Sequence, residues 1–264
     1  MDDFSPSGAG SATLSTREWR AAYASVVGTS HSRTSLPCQD ASGCRVLGPV
    51  LVAAVADGAG SVPLAAEGAQ LTVARFLAEI GDAAVVDPAL DFLTLGYARD
   101  WLAKLRMTLM GLGASPLEDY ACTLLGAVIG DGVAVFMQIG DGAIVTSEGA
   151  ALDWVFWPQN GEFANSTCFV TQDDAADILM FSRREQGVQE VALFSDGIER
   201  LVIDLAARKV HEPALRPILD WLAGSDALPD APSPALLAYL GSAHVTRRTD
   251  DDMTLVVAAR AAPP

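Results

Sequence analysis

Hydrophobic and polar positions change period several times along this chain, and each change marks an element. Across residues 19–28, Trp19, Ala21, Tyr23 and Ser25 alternate with the opposite face, which predicts a first strand. Residues 50–56 form an unbroken apolar run of strand length, the pattern of a strand covered on both faces, and it stops at Asp57-Gly58. From Val62 the period lengthens. Ala65, Ala69, Val73, Phe76, Leu77 and Ile80 share one helical face, while Glu67, Gln70, Arg75 and Glu79 fall elsewhere. A second helix follows Pro88, carried by Leu90, Leu93, Tyr97, Trp101, Leu105, Leu109 and Leu112.

Residues 122–129, 133–139 and 143–146, joined by Gly130-Asp131-Gly132 and Gly140-Asp141-Gly142, read as a meander of adjacent antiparallel strands. Residues 191–195 are a further buried strand. Helical patterns at 198–205, 213–223 and 235–240 follow, with a Pro/Asp-rich connection at 225–234, and 253–259 closes the chain as a strand. Strand runs interleaved with paired helices predict an α+β domain, a layered sandwich whose sheets are buried on both faces.

Composition narrows the function. In 264 residues, 50% are hydrophobic and 19% charged, enough apolar surface for one large core and too much for intrinsic disorder. We expect residues 1–16 to form a flexible tail and 17–264 a single domain. Seventeen Lys+Arg against 33 Asp+Glu give a net charge of −16, which repels phosphodiester backbones and anionic lipid, so neither nucleic acid nor membrane is expected as a partner. The N-terminus has no basic and apolar leader, and no apolar run approaches the ~20 residues of a membrane span. A cytoplasmic location is expected. Cys38, Cys44, Cys122 and Cys168 form no ligand pattern and are read as reduced, mostly buried thiols.

Asp-Gly occurs four times, and its ordinary meaning is a hairpin turn. Asp131 fits that meaning, and on spacing alone so does Asp141. Asp57 and Asp196 do not, because each follows a buried strand and precedes a helix. Asp40 before a probable strand, and Asp250-Asp251-Asp252 before the last one, add carboxylates at strand ends. At ~4 Å and an effective dielectric of ~20, a like-charged pair costs about 4 kcal/mol, so such a cluster needs cations. The oxygen-only donor set favours Mg or Mn over Zn.

In order, Pro37-Cys38-Gln39-Asp40, Val55-Ala56-Asp57-Gly58-Ala59-Gly60-Ser61, Gly140-Asp141-Gly142, Phe194-Ser195-Asp196-Gly197 and Asp251-Asp252-Met253-Thr254 resemble the motifs of the type 2C, metal-dependent (PPM) serine/threonine protein phosphatases. The resemblance spans roughly residues 22–259, and with Gly28-Thr29-Ser30-His31 it points to a bacterial branch. It implies a four-layer α-β-β-α sandwich, two antiparallel sheets flanked by helix pairs, with a metal pair at one edge. By position, Asp57 matches the carboxylate bridging both metals, the Gly58 carbonyl a ligand of the second, and Asp196 and Asp251 ligands of the first. Asp141 matches an aspartate of a third, weaker metal, and Asp40 a residue that orients metal-bound water. Arg33 is the candidate phosphate-binding arginine.

The implied reaction is hydrolysis of phosphoserine or phosphothreonine in a protein substrate by a metal-bridging hydroxide, opposing a Ser/Thr kinase. Ala59 stands where some members carry a histidine, Gln39 where many carry glutamate and Asp252 where asparagine is common. These departures motivate the alternative, a weak or inactive phosphatase-like binding module. In an active enzyme with Ala59 at that position, His31 or a metal-bound water is left to protonate the leaving alkoxide, although a lone histidine more often packs a strand end.

Overall fold

The computed structural model describes residues 18–113, 115–147, 151–157, 167–204, 207–226, 229 and 231–261. The expected tail at 1–16 lies outside them, and so do residues 158–166 of the polar, turn-rich segment 158–167, whose sequence fits either a flap that shapes substrate access or an ordinary connecting loop. β1 (Trp19–Val26) leads through the short α1 (Thr29–Thr34) into β2 (Ala41–Leu47) and β3 (Val50–Ala56). α2 (Ala65–Arg75) continues through a π-helical turn (Phe76–Ile80) into α3 (Gly81–Val86), and α4 (Leu95–Gly111) packs beside it. A 3₁₀ turn (Leu117–Tyr120) precedes β4 (Leu124–Ile129), β5 (Ala134–Ile139), β6 (Ala143–Ser147) and β7 (Leu152–Trp154). Then come α5 (Ala175–Ile178), β8 (Met180–Arg184), β9 (Glu190–Phe194), a 3₁₀ turn (Asp196–Ile198) and α6 (Glu199–Val202). The hairpin of β10 (Ile203–Asp204) and β11 (Lys209–Val210), α7 (Glu212–Ala223), α8 (Pro234–Leu240), α9 (Ala243–Thr246) and β12 (Met253–Arg260) complete the chain.

The long strands make two antiparallel five-stranded sheets, ordered β1-β12-β9-β6-β7 and β2-β3-β4-β5-β8. Strand alternation sorts side chains into three apolar layers. Leu51, Ala53 and Val55 of β3 meet Leu193 and Val256 of the facing sheet, while Val52, Ala54 and Ala56 turn outward against Phe76, Ile80, Leu102 and Leu105 of the helices. On the far side, Phe194, Leu255 and Val257 pack under Leu215, Leu219, Leu236 and Leu240 of α7 and α8. Both faces of each central strand are covered, which is why β3 reads as a continuous apolar run. The architecture is the expected α+β sandwich, helices on sheet on sheet on helices. No helix among the described residues is long and apolar enough to cross a membrane.

Three expectations need correction. Residues 143–146 do not continue the meander: β6 leaves the sheet of β4 and β5 and pairs with β9 in the other. Gly140, at φ +111°, makes this crossover, and its missing Cβ would sit 2.5 Å from the Thr123 side chain. Residues 198–205 are only briefly helical, because Ile203 and Asp204 pair with Val210 and Lys209. The second helix begins at Leu95 rather than near Pro88. Leu90 takes a positive φ of 58°, the Asp87 carboxylate accepts from the Phe92 N–H at 3.1 Å, and Thr94 caps the helix by accepting from the Tyr97 N–H at 3.2 Å.

Phe76, fully buried in the π-helical turn, stacks edge-on against Trp101 with ring centroids 5.5 Å apart. Phe76→Ala is expected to destabilise the fold by about 3–5 kcal/mol, read as a lower urea midpoint at unchanged slope.

Candidate functional site

Antiparallel register brings distant carboxylates to one edge of the sandwich. Ala56 at the end of β3 lies opposite Ala41 at the start of β2, so Asp57 and Asp40 flank the same point. In the facing sheet Phe194 lies opposite both Leu255 and Ala143, which sets Asp196, the 251–252 pair and Asp141 on that edge too. Thr123, just before β4, clamps Asp57: its hydroxyl accepts from the Asp57 N–H at 2.8 Å, and its own N–H donates to the Asp57 carbonyl at 2.8 Å. Gly197 has no room for a side chain, since a Cβ there would lie 1.9 Å from the Asp252 carbonyl oxygen. This close approach draws the Asp196 turn against the start of β12.

Asp57 stands at the centre, within hydrogen-bonding reach of Asp40 and Asp196. Burial, then the charges of Asp40 and Asp196, push its carboxyl well above the usual range. Burial also raises Asp40 from 3.8 to about 7 and Asp196 from 3.8 to about 6, in the second case with help from Asp141 and Asp251. Asp40 is fixed by the Ser195 hydroxyl, which donates to its Oδ2 at 2.8 Å and accepts from the Thr254 N–H at 3.2 Å. Asp141 is half-buried, accepts from the Thr167 hydroxyl at 2.6 Å, and is raised by burial. Asp251 is exposed, with Oδ1 accepting from the Asp252 N–H at 2.8 Å.

Asp252 does something the sequence did not disclose. Its buried carboxylate accepts from the N–H groups of Gly28 at 2.7 Å and Gln39 at 2.6 Å, and His31 Nδ1 lies 3.0 Å from its Oδ1. Its charge is still felt at Asp40, but its oxygens serve as a staple between the end of β1, α1 and the approach to β2. Arg33 is exposed on α1, and among the described residues no hydrogen bond or ion pair joins it to the carboxylates. The four cysteines are free thiols, two buried and two half-buried.

A hard cation suits this edge. Asp40 Oδ1, Asp196 Oδ1 and Gln39 Oε1 are buried without a hydrogen-bond partner among the described residues, and the nearby donors are oxygens. The buried Gly58 adds a backbone carbonyl beside Asp57. Among the described residues no three His, Cys, Asp or Glu side chains stand together as a ready-made ligand group. Mg²⁺ is compatible with that, since it keeps several waters and takes only one or two carboxylates. Ser195, Thr123, Thr167 and the Asp252 staple escaped the sequence reading. So did Glu199, raised to about 7 by burial and then by the charges of Asp196 and Asp141.

Known proteins resemble this chain in sequence and in fold. The family described as Protein phosphatase 2C matches residues 27–238. Serine/threonine-protein phosphatase 3 of Escherichia coli (strain K12) is 35% identical over 256 residues, which covers 91% of this chain and 98% of that protein. A bacterial serine phosphatase superposes with a TM-score of 0.63 at 11% identity, covering 92% and 98% of the two chains. Stp1 of Staphylococcus aureus gives 0.60 at 11% identity over 90% and 94%, and PppA of Pseudomonas aeruginosa, a component regulating its T6SS, 0.59 at 20% over 92% and 97%. At such identities the solved structures speak for the fold, and the family match and the E. coli relative for membership. The chain belongs to the protein phosphatase 2C family, the type 2C metal-dependent serine/threonine protein phosphatases.

Proposed function

We propose that residues 17–264 act as one catalytic domain that hydrolyses phosphoserine and phosphothreonine in proteins at a centre of two Mg or Mn ions on the carboxylate edge. The observation that carries this reading is Asp57 placed between Asp40 and Asp196, with Asp40 Oδ1 and Asp196 Oδ1 buried and unpartnered. On this reading Asp57 would hold both ions and the Gly58 carbonyl the second, Asp196 and Asp251 would complete the first, and Asp141 would hold a third more weakly. Ions so placed supply Lewis acidity that makes water a competent nucleophile near neutral pH and draws charge from the phosphoryl oxygens.

The chain's own groups do the positioning. Ser195 holds Asp40 through Oδ2, which on this reading leaves the buried Oδ1 to orient the attacking water. Arg33, exposed on α1, would offer a guanidinium fork to the substrate phosphate. The set Asp40, Asp57, Asp141, Asp196 and Asp251 is complete, which favours an active enzyme over a binding module. A cytoplasmic location, opposing a Ser/Thr kinase that phosphorylates the same proteins, is part of the proposal.

Asp57→Asn is expected to lower phosphopeptide turnover by at least about a hundredfold, and Ser195→Ala, which acts through Asp40, by about 10–100-fold. Steady-state kinetics at saturating Mn²⁺ check both. Without cation, Asp40 and Asp196 bind protons more tightly folded than unfolded, where their value is near 3.8. Their stabilising contribution is therefore complete below about pH 4 and lost as pH rises through about 6 to 7. In chelator, the melting temperature should fall across that window, and added Mn²⁺ or Mg²⁺ should raise it more at pH 8 than at pH 5.

A further inference from the structure

Beside the carboxylate edge, α6, α7, α8 and α9 enclose a cleft of about 1150 Å³ that the catalytic reading leaves without a role. Ile218 and Trp221 of α7 and Tyr239 of α8 form an apolar wall, and Trp221 is 43% exposed. The cleft also gathers Arg200, Arg248, His211 and His244, in a chain whose net charge is −16. Arg248 lies 2.7 Å from His244 Nε2, and its guanidinium is the fixed cation at this end. Neither Arg200 nor Arg248 forms a salt bridge with a carboxylate among the described residues. Asp204 is the one acid of the lining, and it is engaged in its own turn, accepting from the Ala207 N–H at 2.9 Å.

Position and charge together indicate an occupant. Arg200 follows Asp196 by four residues, through the 3₁₀ turn and into α6, and Arg248 precedes Asp251 by three, so both arginines of the cleft lie close along the chain to residues of the carboxylate edge. A phosphoprotein is anionic, and the field of an acidic protein repels it. A local cationic, apolar surface next to the centre offsets that repulsion and favours one kind of sequence.

Building on the phosphatase reading above, we propose that this cleft is a substrate-docking groove. It takes an acidic segment with apolar anchors that flanks the phosphorylated residue, its apolar side chains against Trp221, Ile218 and Tyr239 and its carboxylates on Arg200 and Arg248.

The test compares a short neutral phosphothreonine peptide with the same peptide extended, on either side, by a tract of Asp, Glu, Leu and Trp or by its Lys-substituted counterpart. With the Mn²⁺-loaded wild-type enzyme, the acidic extension on one side lowers KM roughly tenfold at unchanged kcat, and the Lys version does not. The Arg248→Glu, Trp221→Ala double variant loses the gain. Its turnover of p-nitrophenyl phosphate, too small to reach the groove, stays at the wild-type level and shows that it is folded; Trp221→Phe with Arg248→Glu replaces it should the alanine variant not fold. Equal KM for all peptides, or a gain that survives in the variant, overturns the proposal. So does a wild-type dimer in solution that Trp221→Ala dissociates, since a second copy would then fill the groove. Fluorescence anisotropy of the unphosphorylated acidic peptide reads docking independently of turnover. An enzyme that binds it through Arg248 yet hydrolyses nothing refutes the phosphatase reading and leaves the groove, whereas hydrolysis without binding refutes the groove alone.

Discussion

The molecule is organised around mutual repulsion that its backbone enforces. Register in two sheets delivers Asp57, Asp40, Asp196 and Asp141 to one edge, where burial weakens solvent screening, the charges of Asp40 and Asp196 raise the proton affinity of Asp57, and those of Asp141 and Asp251 raise that of Asp196. Such an arrangement is a stability liability in an otherwise apolar sandwich. It persists because three covered layers of hydrophobic side chains hold the strands in place whatever their ends carry. A proton or a divalent cation relieves the same strain, and so cation binding, acidity and fold stability are linked at this edge.

Neutral hydrogen-bonding groups aim these carboxylates. Ser195 serves two masters, one oxygen bridging Asp40 and the Thr254 backbone, while Thr123 grips both backbone groups of Asp57. Neither residue is charged. They orient carboxylates without adding to the local field, which a lysine or arginine in their place would change.

Asp57 and Asp196 were legible in the sequence because each ends an unbroken apolar run and leads into a helix, where a hairpin has no use. The covered sheets were legible for the same reason. Asp141 was legible only through the family resemblance, since alternation along residues 143–147 is identical whichever sheet the strand joins, and the close packing at Gly140 and Gly142 shows that the chain crosses over. The Asp252 staple was hidden in an acidic run that looks like an exposed turn, because its partners lie more than two hundred positions away. β8 escaped because its residues are all half-exposed and carry no clean period of two.

That staple has a consequence for how the protein is born. Asp252 accepts from Gly28 across a separation of 224 residues, and β12 inserts between β1 and β9, which have no other means of joining one sheet. A chain emerging from the ribosome can assemble β2 to β5 early, but its first strand waits for its last. Because Asp251 and Asp252 directly precede β12, the carboxylate edge is completed only once that strand has been translated.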